Sequence, residues 1–299
     1  LYPKKSDPLL PPKNKGTIEH LKQDVADNGI GRVVLVQTGS AYLWDNRLLA
    51  DTAKANAGWA VGVCTLDPTS EDSVVELERL VGGFNVKGLR VEPTKTSPAI
   101  YDQAGAHRLW QKAQELGVVI CAHIQSEFTR ELANLLKAYP KVPVVLDHSA
   151  YPKAAEGVDS ETVKRVIGLA EFENLNVKLT FAVTGSDDAY PFGDMKGIVR
   201  KMVDTFGADR CMWGSGFPCE LWLKKATYAQ HLALVREDWG LSEGEQAAVL
   251  EETPMRIWQR SNAREGTEPE CPFCRAPKAG HLRHMVGADQ IDRLVPGCP

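Results

Sequence analysis

No apolar run in the 299-residue sequence approaches the roughly 18 residues that a membrane-spanning helix needs. The opening stretch, LYPKKSDPLLPPKNKG, has no apolar core of the kind that marks a signal peptide. Basic charge is not in excess: 35 Lys+Arg stand against 39 Asp+Glu, a formal net charge of −4. That balance gives no electrostatic footprint for nucleic acid or for an anionic membrane. Cysteine is scarce and odd in number, with seven in all. Cys64, Cys121 and Cys211 fall within apolar runs, where cysteine acts as a small buried hydrophobe. A disulfide framework is not expected in so long a chain, and a reducing cytoplasm is the expected compartment. No glycine-rich phosphate loop follows any strand-like run, which speaks against a dinucleotide-binding sheet.

What is present is an alternation of strand and helix. Hydrophobic residues make up 43% and charged residues 25%, an ordinary globular balance. Seven short β-branched apolar runs recur: 32–37, 60–66, 86–92, 117–124, 142–149, 174–181 and 210–217. Runs apolar on both faces indicate a parallel sheet covered on both sides. Their spacing of roughly 25 to 36 residues is that of a βα unit.

Helical periodicity fills the gaps, as in Ile18, Leu21 and Val25 before Gly29, and in Ile198, Val199, Met202 and Phe206 before Gly207. Ser242 with Glu245 reads as a capping box, and Pro254 as a helix-opening proline. The expected fold class is therefore α/β, a (β/α)8 TIM barrel spanning residues 1–260. Only seven strands can be counted, and a barrel closes with eight. Pro3, Pro8, Pro11 and Pro12 deny the first residues a strand, so the missing first strand is expected to precede residue 1, or something else closes the gap. Residues 261–299 are rich in Pro, Gly and charge and read as an irregular tail.

Catalytic side chains of such barrels gather at the C-terminal ends of the strands. Those positions hold Gln37, Asp67, Arg90, His123, His148, Lys178 and Ser215-Gly216. A single strand-end histidine is commonly structural, and an Arg or Lys there can simply cap the sheet. Jointly, two imidazoles and two cations at one end favour a site. His123 and His148 suit metal ligation or proton transfer. Arg90 and Lys178, read as two unpaired cations, would form a wall for a substrate carboxylate. Gln37 and Ser215 complete the expected substrate-binding set. His231, His20 and His107 sit in helical patterns and are expected to be structural.

Read in order, VKGLRVE, VICAHI, PVVLDHSAYPK, NVKLTF and FGADRCMWGSGFP resemble the strand motifs of amidohydrolase family 2, across roughly residues 17–260. The resemblance implies a TIM-barrel hydrolase acting by water attack on a small carboxylate-bearing lactone or similar compound. A decarboxylase is the alternative, as is a catalytically inactive barrel that binds a small anion. The implied cofactor is one divalent metal, zinc or manganese, or none. His123 and His148 match the family's fifth- and sixth-strand histidines, and Arg90 its substrate-binding arginine.

Two departures stand out. The family's first-strand His-x-His pair occurs nowhere here, and its last-strand Gly-Ser-Asp-Phe-Pro reads Gly214-Ser215-Gly216-Phe217-Pro218. His123 and His148 alone make only a partial metal site. Without the aspartate, His148 is the expected proton acceptor; metal-dependent activity would instead mean that Asp67 or Glu220 replaces the missing ligand. In the tail, Cys271-x2-Cys274 followed by His281-x2-His284 has the donors of a structural zinc site, though with a short gap. The expected partner is a small carboxylate substrate, and a homo-oligomer is also expected, with Trp222, Tyr228 and Trp239 as exposed interface aromatics.

Overall fold

The computed structural model describes residues 16–39, 42–218 and 225–259. All seven apolar runs form strands: β1 Val33–Val36, β2 Ala60–Thr65, β3 Val86–Val91, β4 Val119–Ala122, β5 Val144–Leu146, β6 Leu175–Lys178 and β7 Cys211–Met212. They pair in parallel in chain order, β1 to β7. The helices between them are α1 Ile18–Asp27, α2 Arg47–Ala55, α3 Ser73–Gly83, α4 Ala104–Leu116, α5 Thr129–Ala138, α6 Glu161–Ile167, α7 Ala182–Gly185 and α8 Lys196–Phe206. Three more follow: α9 Tyr228–Ala233, α10 Glu243–Ala247 and α11 Thr253–Trp258.

The ends of these helices are set by local chemistry. Thr17 accepts from the His20 backbone N–H and caps α1, while Ser242 and Glu245 form the reciprocal box that opens α10. Gly117 takes φ 65° at the end of α4, a conformation that costs glycine little.

Successive strand residues face opposite sides, so the sheet separates two apolar layers. The outer layer joins Cys64, Leu89, Val91, Ile120, Leu146 and Val177 to helix residues such as Leu77, Leu109, Trp110 and Leu132. The inner layer holds Val63, Val119, Cys121, Val145 and Met212, and it is closed by Ile257 and Trp258 of α11. The sheet curls into a half-barrel, an α/β TIM-like architecture. Among the described residues there are seven strands and no eighth, and β1 is only half-buried along its length. Across that side, Leu21 and Val25 of α1 pack with Tyr228, Leu35, Trp213 and Phe217.

The aromatic residues expected at an interface sit elsewhere. Tyr228 and Trp239 are buried in the core, and Trp222 lies outside the described residues. Cys64, Cys121 and Cys211 are buried free thiols. Burial pushes Cys121 and Cys211 up to about 12, so neither is a nucleophile at neutral pH.

Candidate active site

Strand register decides which side chains meet at the C-terminal mouth. Thr65 pairs with Arg90, Arg90 with Cys121 and Cys121 with Val145, one row of the inner face. Lys178 lies beside Met212 at the end of β6. Val91 pairs with Ala122, and the ladder continues one step because the His123 N–H donates to the Val91 carbonyl at 3.1 Å. That step sets Glu92 opposite His123.

At the end of β5 the backbone does something that no glycine announces. His148, Ser149, Ala150 and Tyr151 have φ of 53°, 46°, 56° and 63°, four left-handed residues in succession. Each costs roughly 1–2 kcal/mol in isolation. Such strain persists only where packing over-determines it, and it clusters at functional sites. Here the turn swings the Tyr151 ring onto the His148 ring, stacked at 4.8 Å.

Two groups of side chains result. In the first, Asp147 is fully buried and takes both cations: Arg90 Nη2 at 2.8 Å on one carboxylate oxygen and Lys178 Nζ on the other. Arg90 and Lys178 are therefore not the unpaired cations that their sequence positions suggested. Burial alone would raise the Asp147 carboxyl, but the Arg90 and Lys178 charges hold it well below the usual carboxylate range. Two cations against one carboxylate leave one net positive charge. The buried Arg90 Nε has no protein partner.

The second group is a chain of hydrogen bonds. His123 Nδ1 is 2.9 Å from a Glu92 carboxylate oxygen, and His123 Nε2 is 2.6 Å from the Tyr151 hydroxyl. Burial would raise the Glu92 carboxyl; the His123 contact, helped by Lys95, overcomes this and holds it down to about 2. An ionised Glu92 places the imidazole proton on Nδ1, so Nε2 accepts from the Tyr151 O–H. His148 stands beside this chain, 5.9 Å from His123 between ring centroids. Its Nδ1 is enclosed without a partner. Burial, with the Lys178 and Arg90 charges adding to it and Asp147 opposing it, pushes His148 down to about 3, so it is neutral.

The remaining expected site residues are engaged elsewhere. Gln37 spends its amide N–H groups on the Leu43 and Asp45 carbonyls, bracing a loop. The Ser215 hydroxyl accepts from the Phe217 N–H, while its carbonyl is held by His231 Nδ1 at 2.6 Å. Asp67 caps the Thr69 turn through its N–H and hydroxyl. Glu220, Cys271, Cys274, His281 and His284 lie outside the described residues. A cavity of about 200 Å³ borders Glu92, bounded by Trp44, Asp67, Thr69, Thr94 and Lys95. A larger one of about 510 Å³, between Tyr42–Arg47 and α3, shares no residue with the histidines.

The donor set does not fit a divalent metal. Both His123 nitrogens are occupied, Asp147 is committed to two cations, and Gly216 has no carboxylate. Among the described residues no group of three His, Cys, Asp or Glu side chains is arranged to hold an ion. His123 and His148 stand 5.9 Å apart between ring centroids, two imidazoles without a third protein ligand among the described residues.

Glu92, Asp147 and Tyr151 were not foreseen as site residues. Each sits close in sequence to one that was: Glu92 two beyond Arg90 on the same side of the strand, Asp147 beside His148, and Tyr151 three further on.

The imidazoles and cations thus gather at the C-terminal mouth of a TIM-like half-barrel, the end at which barrel enzymes hold their active sites. The amidohydrolase family model matches residues 13–260, and the chain belongs to that family. It is 28% identical over 214 residues to the L-fucono-1,5-lactonase of Burkholderia ambifaria, covering 67% of this chain and 69% of that one. It is 27% identical over 201 residues to the 2-pyrone-4,6-dicarboxylate hydrolase of Comamonas testosteroni, covering 64% of this chain and 63% of that protein. The structure resembles that of a probable 2-pyrone-4,6-dicarboxylic acid hydrolase from Acinetobacter baumannii with citric acid bound. The TM-score is 0.73 at 15% identity, covering 86% of this chain and 94% of the other.

Proposed function

We propose that the protein hydrolyses a small lactone bearing a carboxylate, by attack of water on the ring carbonyl. The observation that carries this reading is the Arg90–Asp147–Lys178 cluster, whose single net positive charge lies beside the neutral His148. A substrate carboxylate, or the oxyanion that develops as water adds, finds there a charge of the right sign. His148, neutral and only partly enclosed as a side chain, suits a hydrogen bond to the substrate. The two curated relatives are named for lactone and pyrone hydrolysis, which supports the same bond class. The reading routes no step through zinc or manganese, and it places the enzyme in the cytoplasm, in keeping with its free buried thiols. It makes no use of self-association.

The test is turnover of matched lactones with and without a carboxylate, each in chelator and in added zinc or manganese. Preference for the carboxylated member, insensitive to chelator, is expected. Arg90→Ala should lower kcat/KM on that member by on the order of 10²-fold. Equal turnover of neutral lactones would remove the anion site, and binding without turnover would favour the inactive anion-binding barrel.

A further inference from the structure

The hydrolytic reading leaves open which group moves the protons, since the last strand offers Gly216 and no carboxylate. Asp147 is locked between two cations, and the Ser215 hydroxyl oxygen accepts from the Phe217 N–H. Beside His148, the expected acceptor, the chain Glu92–His123–Tyr151 offers a second set of acid–base groups at the mouth. Its order is that of a carboxylate orienting an imidazole, which in turn accepts from a hydroxyl.

We propose that Tyr151 is a catalytic acid–base residue, its hydroxyl passing protons between His123 and the reacting oxygens; this rests on the hydrolytic reading above. As water attacks, its oxygen bonds to the ring carbonyl carbon and one of its protons passes to the Tyr151 oxygen. The Tyr151 proton moves at the same time to His123 Nε2, and Glu92 balances the imidazolium. When the tetrahedral adduct collapses, the ring C–O bond breaks. The leaving oxygen takes the Tyr151 proton, and Tyr151 recovers its own from His123. One water is consumed, one hydroxy-carboxylic acid forms and releases its carboxyl proton to solvent, and the enzyme ends as it began.

Three observations support the assignment. The register holds Glu92 and His123 opposite one another, so the imidazole is aimed by the sheet and not by a loop. The left-handed run from His148 to Tyr151, which also buries Ser149 and Ala150, delivers the phenol to 2.6 Å from Nε2. His123 and Tyr151 both retain solvent exposure, as proton exchange with a substrate requires.

The full-length protein and a lactone that it turns over give the test. Tyr151→Phe keeps the ring that stacks on His148, and should lower kcat on the order of 10²–10⁴-fold with KM nearly unchanged. Glu92→Gln should lower kcat as well, and Glu92→Asp should recover part of it. A kcat for Tyr151→Phe within a few-fold of wild type overturns the relay, as does a change confined to KM. Proton NMR gives a readout free of turnover: a downfield His123 Nδ1–H resonance is expected in the wild type and should be lost in Glu92→Gln. Its absence from the wild type also overturns the relay. If the wild type opens no lactone, the hydrolytic reading fails, and the NMR result decides the hydrogen-bonded chain separately.

Discussion

Arg90 and Asp147 meet at 2.8 Å with both side chains buried, across the inner face where β3 and β5 end. A buried ion pair is held against a large desolvation cost, so removing one partner harms more than the pair contributes. Asp147→Asn leaves two cations facing each other without compensation. It should destabilise the fold by about 3–5 kcal/mol in urea unfolding. Lys178→Met removes only the outer cation, and its cost should be well under half of that. Equal costs would mean that Asp147 is not the shared counter-ion.

Stability should fall as the solution is acidified below pH 6.5. Burial holds His148 down to about 3, and it holds His231 to about 4 against the opposing Ser215 hydrogen bond. In the unfolded chain both imidazoles have ordinary values near 6.5. Between those limits the unfolded state binds protons that the folded state refuses. The stabilisation is complete above about pH 6.5 and declines by about 1.4 kcal/mol per pH unit for each histidine as pH drops. Glu92 adds a second window in the same direction, present above its ordinary 4.5 and lost towards about 2. Urea unfolding at stepped pH from 7.5 to 5 checks this: His148→Gln should remove about half of the wild-type slope. A wild-type stability that is flat across the range would contradict the burial of both rings.

Gly88 and Trp258 should be coupled. A Cβ on Gly88 would come within 2.9 Å of the Trp258 ring and 3.1 Å of the Val119 carbonyl. Gly88→Ala should therefore cost about 1–3 kcal/mol by overpacking, and Trp258→Ala about 3–5 kcal/mol by opening a cavity in the inner layer. The double variant should cost less than the two single costs together, because the added methyl then finds space. Strict additivity in a double-mutant cycle would show that α11 does not plug the half-barrel.

The sheet was legible because its strands are apolar on both faces, and the helix ends because Gly29, Gly117, Gly207 and the Ser242–Glu245 pair mark them. His123, His148, Arg90 and Lys178 were legible as strand-end residues for the same reason. Their partners were not. Asp147 follows the apolar Val144–Leu146 run and gave no sign that it is fully buried against two cations from other strands. Tyr151 reaches His123 only through a left-handed turn built without glycine, which no propensity forecasts. Trp239 and Tyr228 were misread as surface residues: Tyr228 opens the short helix α9 and Trp239 lies outside any helix, yet both rings are buried.

Restoring the family's last-strand aspartate should not create a metalloenzyme. Gly216 has φ of 60°, a region that aspartate tolerates better than most side chains, and its Cβ would find nothing nearer than Thr180 Cγ2 at 4.0 Å. Gly216→Asp should therefore fold, at a cost of about 1–2 kcal/mol. The new carboxylate and His148 would supply two ligands, one short of the three protein ligands that catalytic zinc ordinarily takes. His123 is the natural third, but Glu92 and Tyr151 hold both of its nitrogens, and a metal would have to break one of those bonds to reach it. Calorimetric zinc titration of Gly216→Asp should accordingly show no binding tighter than wild type, and added zinc should not raise turnover. Glu92→Ala added to Gly216→Asp frees His123 Nδ1, and it is in this double variant that zinc binding should first appear. Tight zinc binding in the single variant would show that the imidazole is held more loosely than its two hydrogen bonds imply.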